Sequence, residues 1–104
     1  MNTSETLLYF SNKAYGKETS FKIASVITKE SANLIHEELR LEDYPGIDIS
    51  LREKNIDIAI GDILAMTQLY CSKKGKNYNE LYMLGCQRAI ERCKEKLEGR
   101  TGFW

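Results

Sequence analysis

Residues 56–70, Ile56-Asp-Ile-Ala-Ile-Gly-Asp-Ile-Leu-Ala-Met-Thr-Gln-Leu-Tyr70, form a mostly apolar stretch too long and too rich in Ala, Leu and Met for a strand. A helix that is apolar on nearly every side has to be covered on nearly every side, so the chain must bring other helices around this one. Asp62 stands in the middle of the run. A carboxylate there is expected to be buried, and an uncompensated buried charge costs as much as a small domain's whole stability margin. Compensation is therefore expected from a metal ion, a basic side chain or a polar cluster on a neighbouring helix.

The remaining bounds narrow the class of protein. The chain has 104 residues, the size of a single domain, here 1–104. Fifteen Lys and Arg balance fifteen Asp and Glu, so the broad positive field that drives non-specific nucleic-acid binding is missing and no nucleic-acid partner is expected. No stretch reaches the roughly 18 apolar residues of a membrane span. The start, Met1-Asn-Thr-Ser-Glu-Thr6, lacks the basic and apolar parts of a secretory signal. A cytoplasmic protein without a membrane partner is expected. Cys71, Cys86 and Cys93 occur with no C-x-x-C and a single histidine, His36, which argues against zinc. Cys86 and Cys93 share a helical stripe but stand about 10 Å apart along it, too far to bridge, so all three are read as reduced.

Four helical segments are expected, making the chain all-α. The first runs from Ser4 to Tyr15, with Gly16 as its stop, and the second from Thr19 or Ser20 to about Leu41. Pro45-Gly46 breaks the chain, and Ser50-Leu-Arg-Glu53 matches a capping box that starts the third helix near Leu51. Ser72-Lys-Lys-Gly-Lys76 ends it, with cations at the negative end of the helix dipole. Asn77-Tyr-Asn-Glu80 repeats the capping arrangement. The fourth helix continues to about Glu98 with the seam Tyr82, Cys86, Ala89, Ile90, Cys93 and Leu97.

The second helix repeats the anomaly of the third. Its seam reads Ile23, Ile27, Glu30, Leu34, Glu37, Leu41, with two glutamates where hydrophobes are expected and Asn33 beside them. Antiparallel packing of the second and third helices puts Glu30, Asn33 and Glu37 opposite Asp62. Clustered carboxylates repel one another and resist desolvation, and a hard divalent cation reverses both effects. Magnesium, which usually takes one or two carboxylates together with substrate phosphates, is the natural ion. The alternative is that the glutamates keep their heads in water and Asp62 is held by Asn, Tyr or Lys.

Lys29-Glu-Ser-Ala-Asn33 and Ala59-Ile-Gly-Asp62 resemble the Glu-Glu-x-x-Glu and Glu-x-x-Asp motifs of the MazG-like all-α nucleoside triphosphate pyrophosphohydrolases. The apolar run after Asp62, the Lys-Gly break and the following helix are similar to that family as well. Ala14-Tyr15-Gly16 and Arg100-Thr101 followed by Phe103-Trp104 resemble its phage-type members, over roughly Ala14 to Trp104. Only Glu30 and Asp62 match the ligand pattern residue for residue. Lys29, Asn33 and Ala59 stand where the family carries acids, and Leu97 where phage-type relatives often carry asparagine. Each lost carboxylate removes a negative charge and up to two metal oxygens, which favours one metal over two.

The resemblance implies a four-helix, MazG-like, oligomeric bundle that cleaves a (d)NTP or related nucleotide to a monophosphate and pyrophosphate with Mg2+. The expected metal ligands are Glu30, Asp62 and Asn33, and Glu30 or Glu37 is the expected general base. Lys74, Lys76 and Arg100 are the expected phosphate contacts, with Lys73 a further candidate, and Tyr15, Tyr78, Tyr82 or Trp104 the candidates to stack a base. The simpler readings are dipole compensation and solubility for the lysines, core packing for the aromatics, and an ordinary surface or interface residue for His36. The competing expectation is a degenerate relative that binds a nucleotide or a protein without hydrolysis, and a plain helical interaction module is a third.

Overall fold

The computed structural model describes residues 2–17, 19–43, 46 and 48–99, and among them the regular structure is entirely helical. The helices are α1 (Thr3–Tyr15), α2 (Ser20–Asp43), α3 (Ile49–Lys74) and α4 (Tyr78–Leu97). The all-α, four-helix reading holds, and a four-helix bundle is compatible with the arrangement.

Local chemistry sets most of the ends. Asn2 caps α1, its side-chain oxygen accepting from the Glu5 amide at 2.8 Å, and Asn77 caps α4 by accepting from the Glu80 amide at 3.0 Å. Gly75 stops α3 at φ 65°, a left-handed conformation that a Cβ disfavours, while the Lys76 amide returns to the Cys71 carbonyl at 2.9 Å. The start of α3 differs from expectation. Asp48 turns the chain at φ 51° without a side-chain cap, so the helix begins at Ile49 and Ser50 lies inside it. The Ser50–Glu53 capping box is therefore not the start signal; the left-handed turn at Asp48 launches the helix instead.

The hairpin of α2 and α3 holds most of the tertiary contact. All six seam residues of α2, from Ile23 to Leu41, are buried or half-buried, so the periodicity located the face that packs. Ile23, Ala59, Leu69 and Cys71 are the most buried apolar residues described. Helix α1 packs on α3 and is pinned there by Lys73. The Lys73 Nζ donates to Asn12 Oδ1 at 2.8 Å and to the Gly16 carbonyl at 3.1 Å, which puts an ammonium on the negative end of α1.

Two expectations are overturned. Asp62 is exposed, because it lies beyond the edge of the α3 face that packs on α2 around Ala59. The fourth-helix seam is not core either: α4 touches α3 only sparsely, no residue of it is buried, and Cys86 and Ala89 are the only seam members even half-covered. The link Gly75–Asn77 carries α4 off the end of α3, away from the hairpin. The three cysteines are free, Cys71 buried, Cys86 half-buried and Cys93 exposed.

Candidate functional site

Near the looped end of the hairpin, a hollow of about 400 Å³ opens between α2 and α3. Glu30, Asn33, His36, Glu37 and Arg40 line it from α2, and Asn55, Ile58 and Ala59 line it from α3. The helical repeat produces this grouping. Glu30, Asn33 and Glu37 recur at three and four residues and share one flank of α2, as Asn55, Ile58 and Ala59 do on α3. Asp62 follows Ile58 by one turn on the same flank, so it stands at the rim rather than in the lining.

The two glutamates differ in their partners. Arg52 Nη1 donates to both oxygens of Glu37, at 3.2 and 3.4 Å, and Arg40 adds a looser ion pair at 3.8 Å. The Glu37 side chain is 13% exposed, so a guanidinium supplies the neutralisation that the sequence left open to a metal. Glu30 instead accepts from Asn33 Nδ2 at 3.4 Å. Its charge is met by an amide dipole, which leaves the oxygens of Glu30, Asn33 and Asn55 as hard donors in the lining, with Asp62 one turn beyond Ile58. No three His, Cys, Asp or Glu side chains among the described residues stand close enough to form a metal site on their own. Magnesium suits such a sparse oxygen set because it keeps waters and takes the rest of its shell from phosphates. Ala59, 2% exposed, occupies the wall where the resembled motif has a further acid.

The expected phosphate contacts are placed elsewhere. Lys74 ends α3 and Lys76 follows it, so Lys74 is about 18 Å along the helix axis from Asp62. Lys73 is committed to α1. Arg100 and Trp104 lie outside the described residues. The cation that does line the hollow is Arg40, joined by His36, which the sequence reading assigned to ordinary surface. Their signal was present as position: both share a flank with Glu37, at i−1 and i+3. A basic residue near a helix C-terminus, however, reads first as dipole compensation.

A second hollow, about 510 Å³ and largely apolar, lies between α1, α2 and α3. Phe10, Tyr15, Val26, Met66 and Leu69 line it, and Val26 and Met66 sit one turn from Glu30 and Asp62 respectively. The Thr19 hydroxyl, buried in its lining, has no hydrogen-bond partner among the described residues. Of the aromatics considered for base stacking, Tyr15 is here. Tyr78 and Tyr82 stack on each other along α4, with centroids 6.4 Å apart and planes 9° from parallel. Cys86 beside Tyr82, and then Tyr78, raise the Tyr82 phenol above its ordinary value. Comparison with family models, curated proteins and solved structures found no match for this chain.

Proposed function

We propose that the chain is a MazG-like, Mg2+-dependent nucleotide pyrophosphohydrolase, cleaving a (d)NTP or related nucleotide to a monophosphate and pyrophosphate. The observation that carries this reading is the hollow that Glu30 and Asn33 of α2 line opposite Ile58 and Ala59 of α3, with Asp62 one turn beyond Ile58 and an apolar, aromatic groove beside it. Such a layout suits a ligand with one charged and one flat apolar end. A cytoplasmic location and a homo-oligomeric state accompany the reading.

Glu30 and Asp62 would hold the ion, with Asn33 assisting. Bound Mg2+ supplies charge neutralisation and polarisation of the phosphates. Glu30 is the stronger candidate for general base, taking a proton from the water that attacks the α-phosphorus, because Glu37 must first be released from Arg52. Arg40 and His36 meet the phosphate charge. Tyr15 and Phe10 flank the groove that receives the base, where the Thr19 hydroxyl offers it a hydrogen bond.

A second reading, a nucleotide binder that has lost hydrolysis, is supported by the arginine-bound Glu37 and the methyl group at Ala59. The deciding experiment measures pyrophosphate release from a nucleotide panel with and without Mg2+, for the wild type, Glu30→Gln and Asp62→Asn. Mg2+-dependent release that both substitutions abolish supports the enzyme. Absence of release, with Mg2+-dependent nucleotide binding lost in the same variants, supports the binder. If neither nucleotide nor Mg2+ shifts the melting temperature and nothing is released, both readings fail.

A further inference from the structure

We infer that the hollow between α1, α2 and α3 selects bases with a carbonyl oxygen at their outer edge (uracil, thymine and guanine) over cytosine and adenine, which carry an amino group there. The inference rests on the proposed reading that this groove receives the base.

The hollow has a polar end and an apolar end. Val26 and Met66 form the end nearest the carboxylates, one helical turn from Glu30 and Asp62. Thr19 and Lys22 form the far end, where α2 begins. Lys22 precedes Glu30 by eight residues, about 12 Å of helix rise. A nucleotide whose phosphates stand at Glu30 therefore lays the outer edge of its base toward Lys22 and Thr19.

Thr19 is the residue on which α2 starts, its carbonyl accepting from the Ile23 amide at 3.0 Å. A threonine in that place ordinarily turns its hydroxyl back to an amide of the first turn. This one does not. The residue is 6% exposed, and its hydroxyl has no hydrogen-bond partner among the described residues. An unpaired buried hydroxyl is a cost to the fold that a ligand atom bonding to it returns. Ser11, also buried, brings a second hydroxyl from α1 to the same hollow.

The charge at that end is positive. Among the described residues, Lys22 is the only charged side chain of the lining, and it makes no ion pair with any of them. It lies in the first turn of α2, at the positive end of the helix dipole. A base meets this end through its exocyclic group. Uracil, thymine and guanine present a carbonyl oxygen, which accepts from an ammonium, beside a ring N–H that a hydroxyl accepts. Cytosine and adenine present an amino group, whose hydrogens face the positive end. The hydroxyls of Thr19 and Ser11 serve either edge, since a hydroxyl both donates and accepts, whereas the ammonium only donates. Lys22 is thus the residue that sets the preference, and Thr19 supports binding of both classes.

The test uses ligands that differ only at that edge: uridine against cytidine, and inosine against adenosine. Binding of the free nucleosides without Mg2+, followed by protein NMR, reads the groove apart from the metal site. The kcat/KM for pyrophosphate release from UTP, CTP, ITP and ATP reads it during turnover. The carbonyl member of each pair should be favoured about tenfold, as one hydrogen bond to a charged donor allows. Lys22→Met should bring that ratio toward one, and Lys22→Arg, which keeps a charged donor, should preserve it. Thr19→Val should melt no lower than the wild type, since it breaks no bond, and should weaken binding of all four nucleosides. Equal treatment of the two classes wherever either is bound or cleaved overturns the inference and leaves the hydrolase reading in place, as does a preference that survives Lys22→Met. Carbonyl preference among the nucleosides, with pyrophosphate released from none of the triphosphates, supports the inference and removes the hydrolase reading. If no nucleoside binds and no triphosphate is cleaved, both fall.

Discussion

Replacing Arg52 with alanine removes the principal partner of a carboxylate that lies in the α2 seam between Leu34 and Leu41. The side chains of Glu37 and Arg52 are 13% and 21% exposed, so water solvates the abandoned charge poorly. Breaking a fully buried pair costs about 3–5 kcal/mol. The cost here is lower, because one Arg52 nitrogen serves both carboxylate oxygens and Arg40 stays at 3.8 Å. About 2 kcal/mol is expected, a fall of roughly 8–16 °C in melting temperature for a chain of this length. Glu37→Leu in the Arg52→Ala background should recover most of the loss, since a leucine continues the seam and strands no charge. Urea titrations of all four proteins, followed by circular dichroism at one protein concentration, give the coupling energy. Additive effects, with Arg52→Ala costing under about 0.5 kcal/mol as surface substitutions do, would refute the reasoning and show Glu37 to be solvated.

Other consequences can be checked separately. Lys73→Met removes the ammonium that ties α1 to α3, and should cost about 1 kcal/mol and speed amide hydrogen exchange in α1 about fivefold. Gly75→Ala meets no atom within 4 Å but must hold φ 65°, so denaturant titration should show a loss of about 1–2 kcal/mol that comes from the backbone alone. Ala59→Glu puts a carboxylate on the buried wall of the hollow. In EDTA it should melt several degrees lower than the wild type, about 1 kcal/mol corresponding to 4–8 °C, and Mg2+ should restore part of the loss if the hollow is a metal site. Tyr82 should ionise above 10.0 in an ultraviolet difference titration, and Cys86→Ala, by removing the largest cause, should move its transition back toward 10.0.

Legibility in the sequence followed the reach of each physical signal. Glycine stops and asparagine caps act within a few residues, so Gly16, Gly75 and Asn77 could be read directly. The seam of α2 is legible because its members recur at spacings of three and four, which fixes the phase of a 3.6-residue repeat, although Phe21, Ile35 and Leu39 stand exposed on another face. That phase puts Glu30 and Glu37 on the packed side of α2 and Asn33 at its border. The start of α3 is not legible because a serine with a glutamate three residues on is a common pairing, whereas the left-handed turn at Asp48 depends on how the chain reverses.

Helix α3 was harder for the reason that made it conspicuous. A helix apolar on nearly every side carries little phase, so its sequence cannot say which side a neighbour covers, and the expected burial of Asp62 gives way to an exposed position. The partner of Glu37 was hidden too, since Arg52 is fifteen residues away and meets it only once the hairpin closes. The sequence by itself determined the all-α class, most helix ends and the acidic content of the α2 seam, all properties of local geometry. Tertiary structure alone decided that Arg52 answers Glu37, that Lys73 serves α1, and that α4 leaves its own hairpin with the stripe uncovered. Those outcomes depend on which surfaces meet, and a repeat along one helix carries no information about its neighbour.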